Sequence, residues 1–113
     1  MIYKNTAGDR GKGNAGNGIS VASAGNGNTS PVEIELNTVK SNGGNGIRVA
    51  GTGHQLKDNA SGGSGGFPGG DDNGKCEFAV VSGNLNATGN KANGVAMGGT
   101  SGSAFPIACQ GTP

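Results

Sequence analysis

Apolar residues along this chain come in short alternating runs separated by glycine, asparagine and serine. Val32, Ile34 and Leu36 alternate with Glu33, Glu35 and Asn37, a period of two that predicts a strand with one face in water. The longest run that a helix might use, Val32 to Ser41, therefore reads as strand. Elsewhere the 26 glycines oppose helix, at about 1 kcal/mol for each interior glycine relative to alanine. Further short runs, Ile19-Ser20-Val21, Ile47-Arg48-Val49, Cys76-Glu77-Phe78 and Val95-Ala96-Met97, each follow an Asn-Gly pair. The pairs are Asn17-Gly18, Asn45-Gly46, Asn73-Gly74 and Asn93-Gly94, at spacings of 28, 28 and 20 residues. A loose period in the twenties, opened by a tight turn and followed by a strand, describes a coil that stacks on copies of itself.

A second pattern is offset from the first. Ile2 precedes Asn5, Ile34 and Leu36 precede Asn37, Leu56 precedes Asn59, and Leu85 precedes Asn90. Each unit then reads as strand, Asn, Gly-rich corner, Asn-Gly, strand. An asparagine at one corner of every coil can hydrogen-bond the neighbouring backbone, and it tolerates the left-handed conformation that corners require. Asn5, Asn37, Asn59 and Asn90 are thus expected to form an internal ladder. Alternation sends Ile19, Val21, Ile34, Leu36, Val39, Ile47, Val49, Leu56, Phe78, Val80, Leu85 and Val95 to the inner side.

The stretch from Ile34 to Val49, then Leu56 to Asn59, then Asn84 to Val95, resembles the right-handed parallel β-helix repeat family. Those solenoids occur in secreted bacterial carbohydrate-active enzymes, adhesins and phage tailspikes. The likeness covers most of the chain and implies an all-β fold, a right-handed parallel β-helix of about three to four coils. One domain, 1–113, is expected, with 98–113 as a C-terminal tail. The segment from Asn73 to Cys109 looks like the C-terminal end of exported members, so the chain reads as a C-terminal piece of a longer secreted or cell-surface solenoid.

Composition sharpens this picture. Low aromatic content (4%) and charge content (13%) ordinarily suggest disorder, but the punctual apolar pairs favour a narrow fold. Three or four coils bury little apolar surface, so a staple or a partner is expected to help. Cys76 and Cys109 are the candidate staple; buried free cysteines or a metal site are the alternatives, and a metal has no nearby further ligands. A disulfide implies an extracytoplasmic location. No run of 18 apolar residues is present, and no secretory segment opens the chain.

Candidate chemistry is sparse. Pectin hydrolases of β-helix fold carry Asn-Thr-Asp, Asp-Asp, Gly-His-Gly and Arg-Ile-Lys in that order. Here Asn37-Thr38 is followed by Val39, Gly51-Thr-Gly-His54 precedes Asp71-Asp72, and Arg48 is followed by Val49, so order and identity both fail. Lyases of the fold abstract a proton with a basic residue, often beside calcium. Lys40, Arg48 and Lys57 are candidates for such a face or for glycan contact, and Asp71-Asp72 is a weak calcium candidate against the simpler reading of turn chemistry. No cofactor is otherwise expected. His54 reads as a polar loop residue. A net charge of +1 and the lack of a basic cluster argue against nucleic acid, and scattered threonines argue against an ice-binding file. Two functions remain: a structural or binding module that self-associates, stacks on further coils or contacts glycan without catalysis, or the C-terminal portion of a polysaccharide lyase or epimerase.

Overall fold

A computed structural model describes residues 1–8, 12–21, 32–50, 53–62, 72–80, 86–96 and 109–110. The described residues are all-β and contain no helix. They form tiers of short strands. The first tier holds β1 (Ile2–Tyr3), β2 (Thr6–Ala7) and β3 (Ile19–Val21), and the second holds β4 (Glu33–Glu35), β5 (Thr38–Val39) and β6 (Ile47–Val49). In the third are β7 (Gln55–Lys57), β8 (Ala60–Ser61) and β9 (Phe78–Val80), followed by β10 (Asn86–Thr88) and β11 (Lys91–Ala92). Two last strands, β12 (Val95–Ala96) and β13 (Cys109–Gln110), complete the set.

Each of the first three tiers gives one strand to each of three sheets, and β10 and β11 extend the first two. The first sheet has the order β1-β4-β7-β10, the second β2-β5-β8-β11-β12, and the third β3-β6-β9-β13. All neighbouring tiers pair parallel, whereas β12 on β11 and β13 on β9 are antiparallel. The register stacks like on like: Ile2, Ile34, Leu56 and Ala87 in the first sheet, and Ile19, Ile47 and Phe78 in the third. With Val21, Val39, Val49 and Ala92 these residues make one core, and the second-tier members Ile34, Val39 and Ile47 are fully buried. In the first tier, Ile2, Ala7 and Ile19 are only partly covered.

Two expectations need correction here. Leu36 is 39% exposed and does not join the core. Its φ of 56° lies in the left-handed region, which breaks the alternation after β4 and turns Asn37 inward instead. The Asn-Gly pairs are not one repeated position either. Asn17-Gly18 and Asn45-Gly46 are in register 28 residues apart, but the next tier places Cys76-Glu77 at that level, 31 residues on. Asn93-Gly94 instead makes the two-residue reversal between β11 and β12, with φ of 51° and 80°. That double left-handed turn is what an antiparallel hairpin requires, and Asn-Gly supplies it with little strain. Leu85 lies outside the described residues, as do the side chains of Val80 and Val95.

Candidate functional site: the polar corners

The polar chemistry of the chain is concentrated at the corners between sheets. At the corner from the first sheet to the second, Asn5, Asn37, Asn59 and Asn90 stack in one column. Asn5 N–H and Nδ2 both donate to Asn37 Oδ1 (2.9 and 3.1 Å). Asn37 donates in the same two ways to Asn59 Oδ1 (3.0 and 2.9 Å), and Asn59 to Asn90 Oδ1 (3.0 and 2.9 Å). The second Nδ2 hydrogen reaches back one tier, from Asn37 to Ile2 C=O, from Asn59 to Ile34 C=O and from Asn90 to Leu56 C=O. One amide thus binds the tiers on both sides of it. The residue just before each asparagine, Lys4, Leu36, Asp58 or Gly89, has a positive φ, between 53° and 70°. That conformation bends the chain sharply enough to aim the next side chain at its counterpart above.

Successive members of this ladder lie 32, 22 and 31 residues apart. Tier length is therefore variable while corner chemistry is constant.

Two more ladders occupy the corner between the second and third sheets, and the sequence pattern did not single them out. Asn14 N–H donates to Asn42 Oδ1 (3.0 Å), and Asn42 N–H and Nδ2 donate to Asn73 Oδ1 (3.0 and 2.9 Å). The third ladder runs in the opposite sense: Asn45 N–H and Nδ2 donate down to Asn17 Oδ1 (2.9 and 3.0 Å), and Cys76 N–H donates to Asn45 Oδ1 (3.0 Å). A signal for both was available, since Asn14 and Asn17 recur at the same separation as Asn42 and Asn45.

The second ladder ends in a buried carboxyl. Asn73 N–H donates to Glu77 Oε1 (3.0 Å) and Asn73 Nδ2 donates to Glu77 Oε2. Ser61 Oγ lies 2.7 Å from Glu77 C=O and 3.0 Å from Oε2, and Asn73 Nδ2 also reaches Ser61 Oγ at 3.1 Å. Glu77 is fully buried. Burial raises its pKa above the ordinary glutamate value, the hydrogen bonds from Asn73 and Ser61 oppose that rise, and the charge of Asp72 adds to it. Asn93 Oδ1 is buried nearby without a hydrogen-bond partner. Glycine is obligatory around this group: a Cβ on Gly46 would collide with Ser61 Oγ, and one on Gly62, at a φ of 78°, would collide with Asn93 Oδ1 and crowd Glu77.

His54 is a polar residue of the loop before β7, as expected, but a buried one with a structural role. It is 3% exposed; its Nδ1 accepts from Val32 N–H (2.9 Å), which leaves Nε2–H to donate to Ala50 C=O (3.0 Å). It sits at the corner leading into the first sheet and satisfies backbone groups there as an asparagine does elsewhere.

The basic residues do not converge. Lys57 lies on β7 of the first sheet, where it meets Glu35 at 3.8 Å, Arg48 lies on β6 of the third sheet, and Lys40 follows β5 of the second. In-register stacking brings Lys57 beside Glu35 and Arg48 beside Ser20 and Ala79, so no shared basic strip forms. Asp71 lies outside the described residues. Among the described residues there is no group of three or more His, Cys, Asp or Glu side chains placed to hold a metal ion. Nor is any helix among them long and apolar enough to cross a membrane. No family model matches the chain, and no curated protein or solved structure matches it.

Proposed function

We propose that this chain is a structural and binding module of a secreted β-solenoid, with its three sheets as the sides of a right-handed parallel β-helix, and that it works by joining and not by catalysis. The observation that carries this reading is the difference between the two ends of the stack. Toward the C-terminus, β12 and β13 run antiparallel across the second and third sheets and interrupt the parallel pattern there. Toward the N-terminus, β1, β2 and β3 are edge strands of all three sheets, over the half-covered layer of Ile2, Ala7 and Ile19. Unpaired edges over an uncovered apolar layer favour pairing with another chain, and stacked repeats need their ends covered.

The partner that fits this end is another β-coil. For the isolated chain, that coil comes from the N-terminal end of a second copy, and the reversed strands at the far end stop growth at a closed pair. The basic residues on which a lyase or glycan reading depends lie on different sheets, which favours the joining role. We also read Cys76 and Cys109 as one disulfide. No free cysteine is present among the described residues, and β13 lays the Cys109 backbone along β9, which begins just after Cys76. Such a bond would stabilise by roughly 4 kcal/mol on the chain-entropy estimate and would place the chain in an oxidising compartment.

Light scattering over a concentration series tests the proposal. A monomer–dimer equilibrium is expected, weakened by Tyr3→Lys and Ser20→Lys on the N-terminal edges and unaffected by Ala96→Lys on β12. Growth past a pair, or a monomer at every concentration, overturns it. An assay for unsaturated uronate release, with and without calcium, is expected to show no turnover.

A further inference from the structure

Glu77 occupies a place where the tiers below have only hydrogen. Its neighbours in register are Gly46 and, beneath that, Gly18, where a side chain would collide with Ser61 Oγ and Asn73 Nδ2 or with Asn42 Nδ2. What it does there copies the ladder. Asn42 gives its N–H and Nδ2 to the Oδ1 of Asn73 one tier up, and Asn73 gives the same two donors to the two oxygens of Glu77, a residue of its own tier. The carboxyl thus stands in for the amide oxygen that a further tier would bring.

Counting hydrogens shows which form of the carboxyl fits. The Ser61 hydroxyl has one proton, and the shorter of its two contacts, 2.7 Å, is to the Glu77 carbonyl. The 3.0 Å contact between Ser61 Oγ and Glu77 Oε2 then lacks a hydrogen unless Oε2 brings it. On the far side of Gly62, the unpartnered Asn93 Oδ1 is a second oxygen in want of a donor. Around Glu77, β8 contributes Ser61, the 72–77 segment contributes Asp72 and Asn73, and the reversal after β11 contributes Asn93. Asp72 is the titratable group that acts on it, and it repels a second negative charge.

We propose that Glu77 is held as the neutral acid, the end-stop of the second asparagine ladder, and that loss of its proton loosens the C-terminal tier. A carboxyl whose pKa is raised in the folded state binds its proton more tightly there than in the unfolded chain. Its stabilising contribution is therefore complete below the ordinary glutamate value and falls as pH rises through the folded one. Opening should begin at the joint where Ser61, Asn73 and Asn93 meet.

The test is equilibrium unfolding of the full chain and of Glu77→Gln between about pH 4 and 8. Glutamine keeps the Oε1 acceptor for the Asn73 N–H and carries a permanent N–H toward Ser61, but loses the Oε2 acceptor for Asn73 Nδ2, a penalty that is the same at every pH. The denaturant midpoint of the wild type is expected to fall with rising pH relative to that of Glu77→Gln, whose own midpoint lacks this dependence. Parallel curves overturn the proposal. Infrared spectroscopy decides it without relying on the variant's stability: at neutral pH the wild type should show the carbonyl stretch of a protonated, buried carboxylic acid. Only carboxylate bands at neutral pH would refute it.

Discussion

In the first tier, nothing among the described residues donates to the side-chain oxygens of Asn5 and Asn14, which themselves donate onward. At the C-terminal end of the stack, Glu77 closes the second ladder and reversed strands close two of the sheets. The contrast separates two tasks that a repeated fold must combine. Propagation needs the same corner amide in each tier, because only then does every buried N–H find an acceptor. Termination needs a break of that rule, and here it is made by turning the strand direction and by a longer acidic side chain that folds into its own tier.

The comparison is broken most severely by removing an amide from the middle of a ladder. Asn59→Ala leaves the Asn37 N–H, one hydrogen of Asn37 Nδ2 and the Asn59 bond to the Ile34 carbonyl unmade in a buried setting, and is expected to cost about 4 kcal/mol. Asn5→Ala, at the open end where the side chain is exposed, should cost under about 1 kcal/mol. Urea unfolding of the pair measures the difference, and equal losses would mean that the ladder is not the continuous element described. Next in size is Gly46→Ala, whose methyl group meets Ser61 Oγ and the Glu77 backbone, at about 3 kcal/mol. Gly16→Ala, which meets nothing within 4 Å, should leave the thermal midpoint nearly unchanged. His54→Ala strands Val32 N–H and Ala50 C=O and should lower stability by about 2–3 kcal/mol, detectable as faster amide exchange at Val32. The smallest effect has the opposite sign. Leu36→Gly relieves a left-handed residue and an exposed apolar side chain, and a gain of about 0.5–1 kcal/mol in the same unfolding assay is expected.

Much of this architecture is legible in the sequence, and the exceptions share a cause. The Asn37 and Asn59 positions are readable because each follows a strand with an inward apolar residue, Ile34 or Leu56, and carries the side chain that suits a corner. Leu36 misleads because period-two counting assumes an extended backbone, and the reversal of φ that places Asn37 inside puts Leu36 outside. Glu77 misleads in the same way: it reads as the outward member of Cys76-Glu77-Phe78, yet β9 begins only at Phe78, and Glu77 belongs to the corner. The unequal tier lengths are present in the spacing of the expected ladder, 32, 22 and 31 residues, whereas the Asn-Gly pairs at 28, 28 and 20 point to a different period. The polar His54 looked idle because its two partners are backbone groups, which leave no mark in composition. Lys40, Arg48 and Lys57 seemed capable of convergence only while the three sheets that carry them could not be told apart.

The direction of the ladders gives the stack an electrical sense. In parallel sheets the backbone dipoles largely cancel, so side-chain amides that all point one way are not masked by them. The first two ladders aim their carbonyl dipoles toward the N-terminal tier and the third aims the other way, leaving a net alignment equal to one column. Each bond in such a column polarises the next in a low-dielectric interior. The oxygen ends of this net column face the N-terminal tier, so the amide array by itself presents its negative side there.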